Sequence, residues 1–422
     1  KVNENVISVE NGKTGVIRAR DIVHDEHHVE WIDKKGHTNG IHSISRFLVE
    51  HRDLMFGGDL QVWANRALNW IHPEVPAHML ELITEQCENY DIDGLELDFM
   101  RYPHLFDLSQ TTFAERAAVT ERFLAAVRAV LDRTACNSRH RYLCVRVPSD
   151  IGMWDAIGLL PERLESLGVE MVNVSSSYFT DQWVDFGAFP SRMPNLAVYF
   201  EICHCTTTGT ALNANGYDNF LYRRTTENEI YTTAHMAYRH GAQGLSYFNF
   251  AYYREHGSAG RGPFNEPPFD AIGLAKNREF VAHAPQHFFL AKGWSDKTQL
   301  RDPLAGDTVY AFRMYAEPPA DGWKTGFRFR LLTRTPIGTR RFRVTFNGHE
   351  PEETDCVKEP YPEDARYRPM HGDAGTLRAW TIARDAVCPG ENRITVEWTS
   401  PDTKEPIRVD YMDLFPDEEG KG

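Results

Sequence analysis

Two carboxylates stand two residues apart in the run YDIDGLELDFMRYPHLF (90–106): Glu96 and Asp98, followed closely by Arg101 and His104. A strand over 93–100 puts both acids on one face, because side chains alternate along a strand, and Asp98 lies nearer its C-terminal end. Paired carboxylates suit a reaction that protonates a leaving oxygen and meets a cationic centre, as glycosidic cleavage does. If Leu95, Leu97 and Phe99 pack against helices, both acids are buried inside a barrel, with Asp98 at the mouth. The plainer reading makes Glu96 a structural acid paired with an inward arginine such as Arg146 or Arg20.

Other polar residues gather at predicted strand ends. His24 and Asp25 follow one strand, Arg146 lies on another, Ser177 and Tyr178 end a third, His204 follows a fourth, and Asn249, Tyr252 and Tyr253 end a fifth. Aromatic faces stack on the C–H surfaces of sugars, while Arg, Asn and His hydrogen-bond hydroxyls or acidic substituents. Arginines at 20, 101 and 146 favour an anionic sugar, and acid pairing inside the barrel explains them as well.

The elements that must position these groups follow from periodicity. Strands are expected at 15–23, 60–70, 93–100, 142–149, 169–177, 196–204 and 244–253, with amphipathic helices between them, as at 73–90 and 111–133. Strands alternating with helices imply a parallel α/β fold, a TIM-type (β/α)8 barrel or a doubly wound sheet. After about residue 291 the pattern changes to alternating strands at 327–335, 340–351, 376–387, 392–400 and 407–416, split by Gly, Pro and Asp turns. That is an antiparallel, jelly-roll-like sandwich. The chain of 422 residues then divides into a barrel domain over 1–291 and a sandwich over 296–416, in keeping with about 250 residues for such a barrel.

Composition narrows the function. Sixty acidic against 46 basic residues give a net charge of -14, which repels phosphate backbones, so a nucleic-acid partner is not expected. No apolar run approaches the roughly 20 residues of a membrane span. Seven scattered cysteines do not form a disulfide framework. Lys1 is followed by no basic and apolar leader, so a signal peptide, if made, has been removed, and localisation stays open between export and cytoplasm. HDEHH (24–28) and CHC (203–205) lack the spacing of a zinc set, and neighbours on a strand face opposite ways, so no metal is expected. Serine-hydrolase, dinucleotide and P-loop motifs are absent, and no cofactor is implied.

HPEV (72–75), the following helix and YDIDGLELDFMRYPHLF resemble bacterial TIM-barrel glycoside hydrolase-like proteins related to the family-10-like glycosidases. RDIVHD (20–25), SRFLVEHRDLMFG (45–57), RRTTENEIYTTAHMAYRHGAQGLSYFNFAYYR (223–254), and the C-terminal NGHEP and PGENRITVEW extend the resemblance over most of the chain. It implies a first strand and helix ahead of RDIVHD, yet only about 14 residues precede the strand at 15–23, so the expectation is either a truncated N-terminus or ENVISVEN (4–11) improvising the missing strand. On that count DGLELDF is strand four, and LAVYFEI is strand seven, ending at Glu201. Many retaining glycosidases of this kind carry an acid/base after strand four and a carboxylate nucleophile after strand seven, roles that fall on Asp98 and Glu201, with Glu96 as substitute for Asp98. No Asn-Glu dipeptide marks the strand-four acid here. The expectation is a glycosidase acting on a poly- or oligosaccharide, with a non-catalytic carbohydrate-binding barrel or a polysaccharide lyase as alternatives.

Overall fold

A two-residue connection can join strands only as an antiparallel hairpin, since a parallel pair needs a crossover of a dozen residues or more. Strand β1 (Val6–Glu10) and β2 (Lys13–Ala19) are separated only by Asn11 and Gly12, and in the computed structural model they pair antiparallel. Strands β3 (His28–Ile32) and β4 (Thr38–Ser43) continue the same four-stranded meander. This corrects the expectation that 4–11 and 15–23 form the first parallel strands of a barrel. The Asn-Gly pair was the legible signal. The structure describes residues 6–10, 13–19, 28–32, 38–43, 47, 51–57, 67–100, 103–136, 139–207, 222–250, 267–292, 299–300, 302–355 and 375–417.

The fold is mixed α/β, with parallel strands and separate antiparallel sheets. Two compact units divide it, Lys1–Glu170 and Met171–Gly422. In the first, helix α1 (Glu74–Asn89) leads to β5 (Gly94–Asp98), and α2 (Phe113–Arg133) crosses over to β6 (Tyr142–Pro148), which runs parallel to β5. Helix α2 starts at a capping box: Thr112 Oγ1 accepts from Glu115 N, and the Glu115 carboxylate accepts from Thr112 N. Its apolar stripe, including Val119, Phe123, Leu124, Val127 and Leu131, is buried. Arg141, just before β6, donates to the carbonyls of Cys87 and Tyr90 and so closes the C-terminal end of α1. The weak strand expected at 60–70 is not a strand in its described part, where Leu68 makes only an isolated bridge to Met55. The short helix α3 (Pro161–Leu164) completes this unit.

In the second unit β7 (Met171–Ser175), β8 (Ala197–Cys203) and β11 (Gly244–Phe248) are parallel, in the order β11-β8-β7. Among the described residues, then, parallel strands number two in the first unit and three in the second. Between β8 and β11 lie the short antiparallel pair β9 (Cys205–Thr207) and β10 (Tyr222–Arg224). Helix α4 (Ala188–Arg192) precedes β8, and helix α5 (Glu227–Arg239) opens on a second capping box, Thr226 with Glu229. Ile230 and Ala234 of α5 pack on Ile202 of β8, together with α6 (Phe269–Ala275) and α7 (Arg278–Val281). The alternate face of β8 is therefore the one free for polar residues.

The rest of this unit is antiparallel. One sheet runs β12-β19-β14-β17-β16 and another β13-β18-β15, formed by β12 (Phe288–Ala291), β13 (Tyr310–Ala316), β14 (Phe327–Thr333), β15 (Arg341–Phe346), β16 (Glu352–Thr354), β17 (Leu377–Ile382), β18 (Gly390–Thr399) and β19 (Val409–Pro416). The two sheets meet through ring contacts of Phe329 with Phe346 and of Phe342 with Trp380. No helix among the described residues is long and apolar enough to cross a membrane.

Candidate active site

In the first unit the register of β5 against β6 places Glu96 opposite Cys144 and Asp98 opposite Arg146. The Arg146 Nη1 donates to both oxygens of Asp98, at 3.0 and 2.9 Å, while Cys144 Sγ donates to Glu96 at 3.3 Å. Two expectations change here. Arg146 pairs with Asp98, not Glu96, because a parallel register fixes which residues face each other. The two acids are also exposed, not buried. Among the described residues β5 pairs with β6 alone in this unit, and its other edge carries no partner strand to cover them. Arg146 is only 4% exposed whereas the Asp98 side chain is 41% exposed, so a buried cation holds a carboxylate that solvent and a ligand can reach. His104 is exposed beyond it, and Arg101, His24 and Asp25 lie outside the described residues.

In the second unit the C-terminal ends of three parallel strands bring together the other candidates. Glu201 of β8 lies in one row with Ser246 of β11, and the row before it sets Tyr199 between Asn173 of β7 and Gly244 of β11. Gly244 is needed there, because a Cβ at that position would overlap the Tyr199 ring. Ser246 Oγ donates to Asn173 Oδ1 at 2.6 Å, although their strands, separated by β8, would stand about 9.5 Å apart in a flat sheet. The sheet is therefore strongly curved toward this face. The concave side carries Glu201, 8% exposed, whose Oε1 accepts a 2.6 Å bond from Ser175 Oγ at the end of β7.

Backbone geometry marks the same rim. Asn249, directly after β11, has φ 56°, and Ser177, two residues past β7, has φ 65°. Side chains other than glycine rarely adopt this region, and such strain clusters at functional sites. Ser177 N is held by Ser175 Oγ at 3.1 Å, and the ring of Tyr178 meets Phe248 edge-on at 5.8 Å. Burial pushes the carboxyl of Asp181, further along the same loop, above the usual carboxylate range, against one hydrogen bond from Trp183 N. Tyr252 lies outside the described residues.

Asp98 with Arg146, and Glu201 with Ser175, Tyr178, His204 and Asn249, thus fall in different units. Asn173, Ser175 and Asp181 were missed by the sequence reading. A signal existed for the first two: in MVNVS (171–175) the polar residues recur at period two against valines, the mark of one polar face on a buried strand. At His204 the strand itself breaks, since β8 ends at Cys203 and β9 begins at Cys205. Cys203, His204 and Cys205 therefore do not alternate, and their donor atoms lie within 4.8 Å of one another.

No family model matches the chain, and no curated protein matches it. Solved structures with a similar course include a multi-modular cell-surface chitinase, ChiW, from Paenibacillus sp. str. FPU-7, at 9% identity and TM-score 0.34, covering 81% of this chain and 42% of that one. A beta-porphyranase of glycoside hydrolase family 86 from Bacteroides plebeius matches at 8% identity and TM-score 0.25, covering 74% and 76%. A GH27 β-L-arabinopyranosidase from Geobacillus stearothermophilus matches at 11% identity and TM-score 0.28, covering 78% and 62%. This chain spans less than half the length of the chitinase. Likenesses this distant leave the reaction to be argued from the residues.

Proposed function

We propose that this protein hydrolyses O-glycosidic bonds of a poly- or oligosaccharide, with Glu201 and Asp98 as its essential carboxylates. The observation that carries the reading is Glu201 itself: a buried acid on the concave face at the C-terminal end of β8, held by the Ser175 hydroxyl and rimmed by strained backbone at Ser177 and Asn249. Active sites of parallel α/β folds lie at the carboxyl ends of the strands. In the proposed roles the Glu201 carboxylate attacks the anomeric carbon as the glycosidic bond breaks, while Asp98 gives a proton to the departing oxygen. Asp98 then takes a proton from water as that water displaces Glu201, so the anomeric configuration is retained. Glu96 is the alternative to Asp98. Residues 1–291 are the proposed catalytic part and the sandwich over 296–416 an accessory one. Arg101 suits an anionic substituent on the sugar, whereas Arg146 is engaged by Asp98.

The test starts with purified protein on a panel of neutral and acidic polysaccharides, read by reducing ends, by binding and by absorbance of unsaturated products. On a cleaved substrate, Glu201→Gln and Asp98→Asn should each lower kcat by about 10³-fold or more with the fold intact. Added azide should yield a glycosyl azide of inverted configuration with Glu201→Ala and of retained configuration with Asp98→Ala if the roles are assigned correctly. Wild-type turnover in either conservative variant removes that residue from the pair. Binding without cleavage would make this a carbohydrate-binding protein, and unsaturated products would make it a lyase.

A further inference from the structure

The break between β8 and β9 assembles a group of atoms that the proposed hydrolysis does not use. On an unbroken strand His204 would face away from Cys203 and Cys205. The interruption instead lets two thiols and one imidazole converge within 4.8 Å, with Cys203 Sγ 3.2 Å from His204 Nδ1. The three residues are 0%, 2% and 0% exposed, and Phe179 and Phe248 form the apolar wall around the sulfurs.

Their backbone is pinned from three directions. Cys203 N donates to Thr180 Oγ1 at 3.0 Å, and the hydroxyls of Thr180 and Thr225 both donate to Cys203 O, at 2.8 and 2.9 Å. His204 N donates to Phe248 O at 3.2 Å and Thr225 N to His204 O at 3.0 Å, while Thr180 N donates to Cys205 O at 2.8 Å. The conformation that gathers the donors is thus imposed by the neighbouring segments, which is the preorganisation a metal site requires.

We propose that Cys203, His204 and Cys205 bind one zinc ion. Two sulfurs and an imidazole nitrogen are a donor set that selects a thiophilic metal over magnesium or calcium. Binding releases two thiol protons and forms two Zn–S bonds and one Zn–N bond; the two thiolates cancel the charge of the ion, so the assembly tolerates an apolar wall that would penalise an isolated charge. The fourth tetrahedral position is left to a solvent molecule. The ion ties the end of β8 to the start of β9, two residues beyond Glu201, and this assignment stands whether or not the chain cleaves sugars.

The test uses the full chain, stripped with a chelator and titrated with Co²⁺ and then Zn²⁺. The expected result is about one ion per chain, a thiolate-to-cobalt charge-transfer band with tetrahedral visible bands, and displacement of cobalt by zinc. Cys203→Ser and Cys205→Ser should each weaken binding by more than about 100-fold, whereas Cys136→Ser and Cys388→Ser, at exposed positions, should leave it unchanged. X-ray absorption of the zinc-loaded wild type should show sulfur at about 2.3 Å and nitrogen at about 2.0 Å, and it requires no variant to fold. No charge-transfer band, a band that survives both serine substitutions together, or a shell of oxygen and nitrogen alone overturns the proposal.

Discussion

At the scale of single residues, Asn249 separates function from folding. Its φ of 56° strains any side chain but costs glycine nothing. Asn249→Gly should therefore keep or raise thermal stability, within about 1 kcal/mol, while Asn249→Val should lower it, since a β-branched residue tolerates this region least. If the Asn249 amide binds substrate, the glycine variant loses activity with no loss of stability. Equal activity in the glycine variant would assign the asparagine to backbone geometry alone. Ser175 makes a second residue-level case, because its hydroxyl holds Glu201 without reaching solvent. Ser175→Ala should lower kcat about tenfold, the worth of one hydrogen bond to a charged group, with KM nearly unchanged; steady-state kinetics on any cleaved substrate would show it.

At the scale of elements, the approach of β5 to β6 rests on a glycine. A Cβ at Gly94 would overlap the backbone carbonyl of Tyr142 on β6, and backbone cannot swing aside as a side chain can. Gly94→Ala should destabilise the protein by about 1–3 kcal/mol through forced separation of the two strands, measured by urea unfolding. Because the same pairing sets Asp98 opposite Arg146, the substitution should also lower activity on any cleaved substrate. Unchanged stability would show that β5 can shift its entry freely.

At the scale of the second unit, buried charge joins its α/β and all-β parts. Asp413 of β19 accepts a bidentate pair from Arg330 of β14 and a 2.8 Å bond from His287, which precedes β12, and all three are fully buried. A second link runs from Tyr411 Oη to Glu229, the residue that also caps α5. Burial alone would raise the Asp413 carboxyl, but the Arg330 charge, together with the hydrogen bonds from His287 and Arg330, outweighs it and holds the group at about 2. A carboxyl lowered by folding stabilises the native state above its unfolded value and ceases to do so as the pH falls through its folded value. The contribution should thus be complete above about pH 4 and fade toward pH 2. Asp413→Asn should cost about 3–5 kcal/mol at neutral pH by leaving Arg330 buried without its counter-charge, and should flatten this acid-dependent part of the unfolding curve.

The local elements are legible in the residue pattern. Apolar residues at period two and at three- and four-residue spacing are enough to mark β5, β6, β7, β8 and β11, helices α1 and α2, and five strands of the antiparallel sheets, because those patterns are made within one segment. The polar strand ends at Asp98, Glu201 and Asn249 were legible for the same reason. Tertiary structure alone decided which residues meet. Arg146 faces Asp98 rather than Glu96 because of the register of two strands whose facing residues lie 48 positions apart in the sequence. Glu201 is buried while Asp98 is exposed because β8 has a parallel neighbour on each side, and among the described residues β5 pairs with β6 alone in its unit. The convergence at His204 depends on hydrogen bonds with Thr180, Thr225 and Phe248, residues 21 or more positions away. Pairing, burial and convergence are properties of contacts between distant segments, and local periodicity carries no information about them.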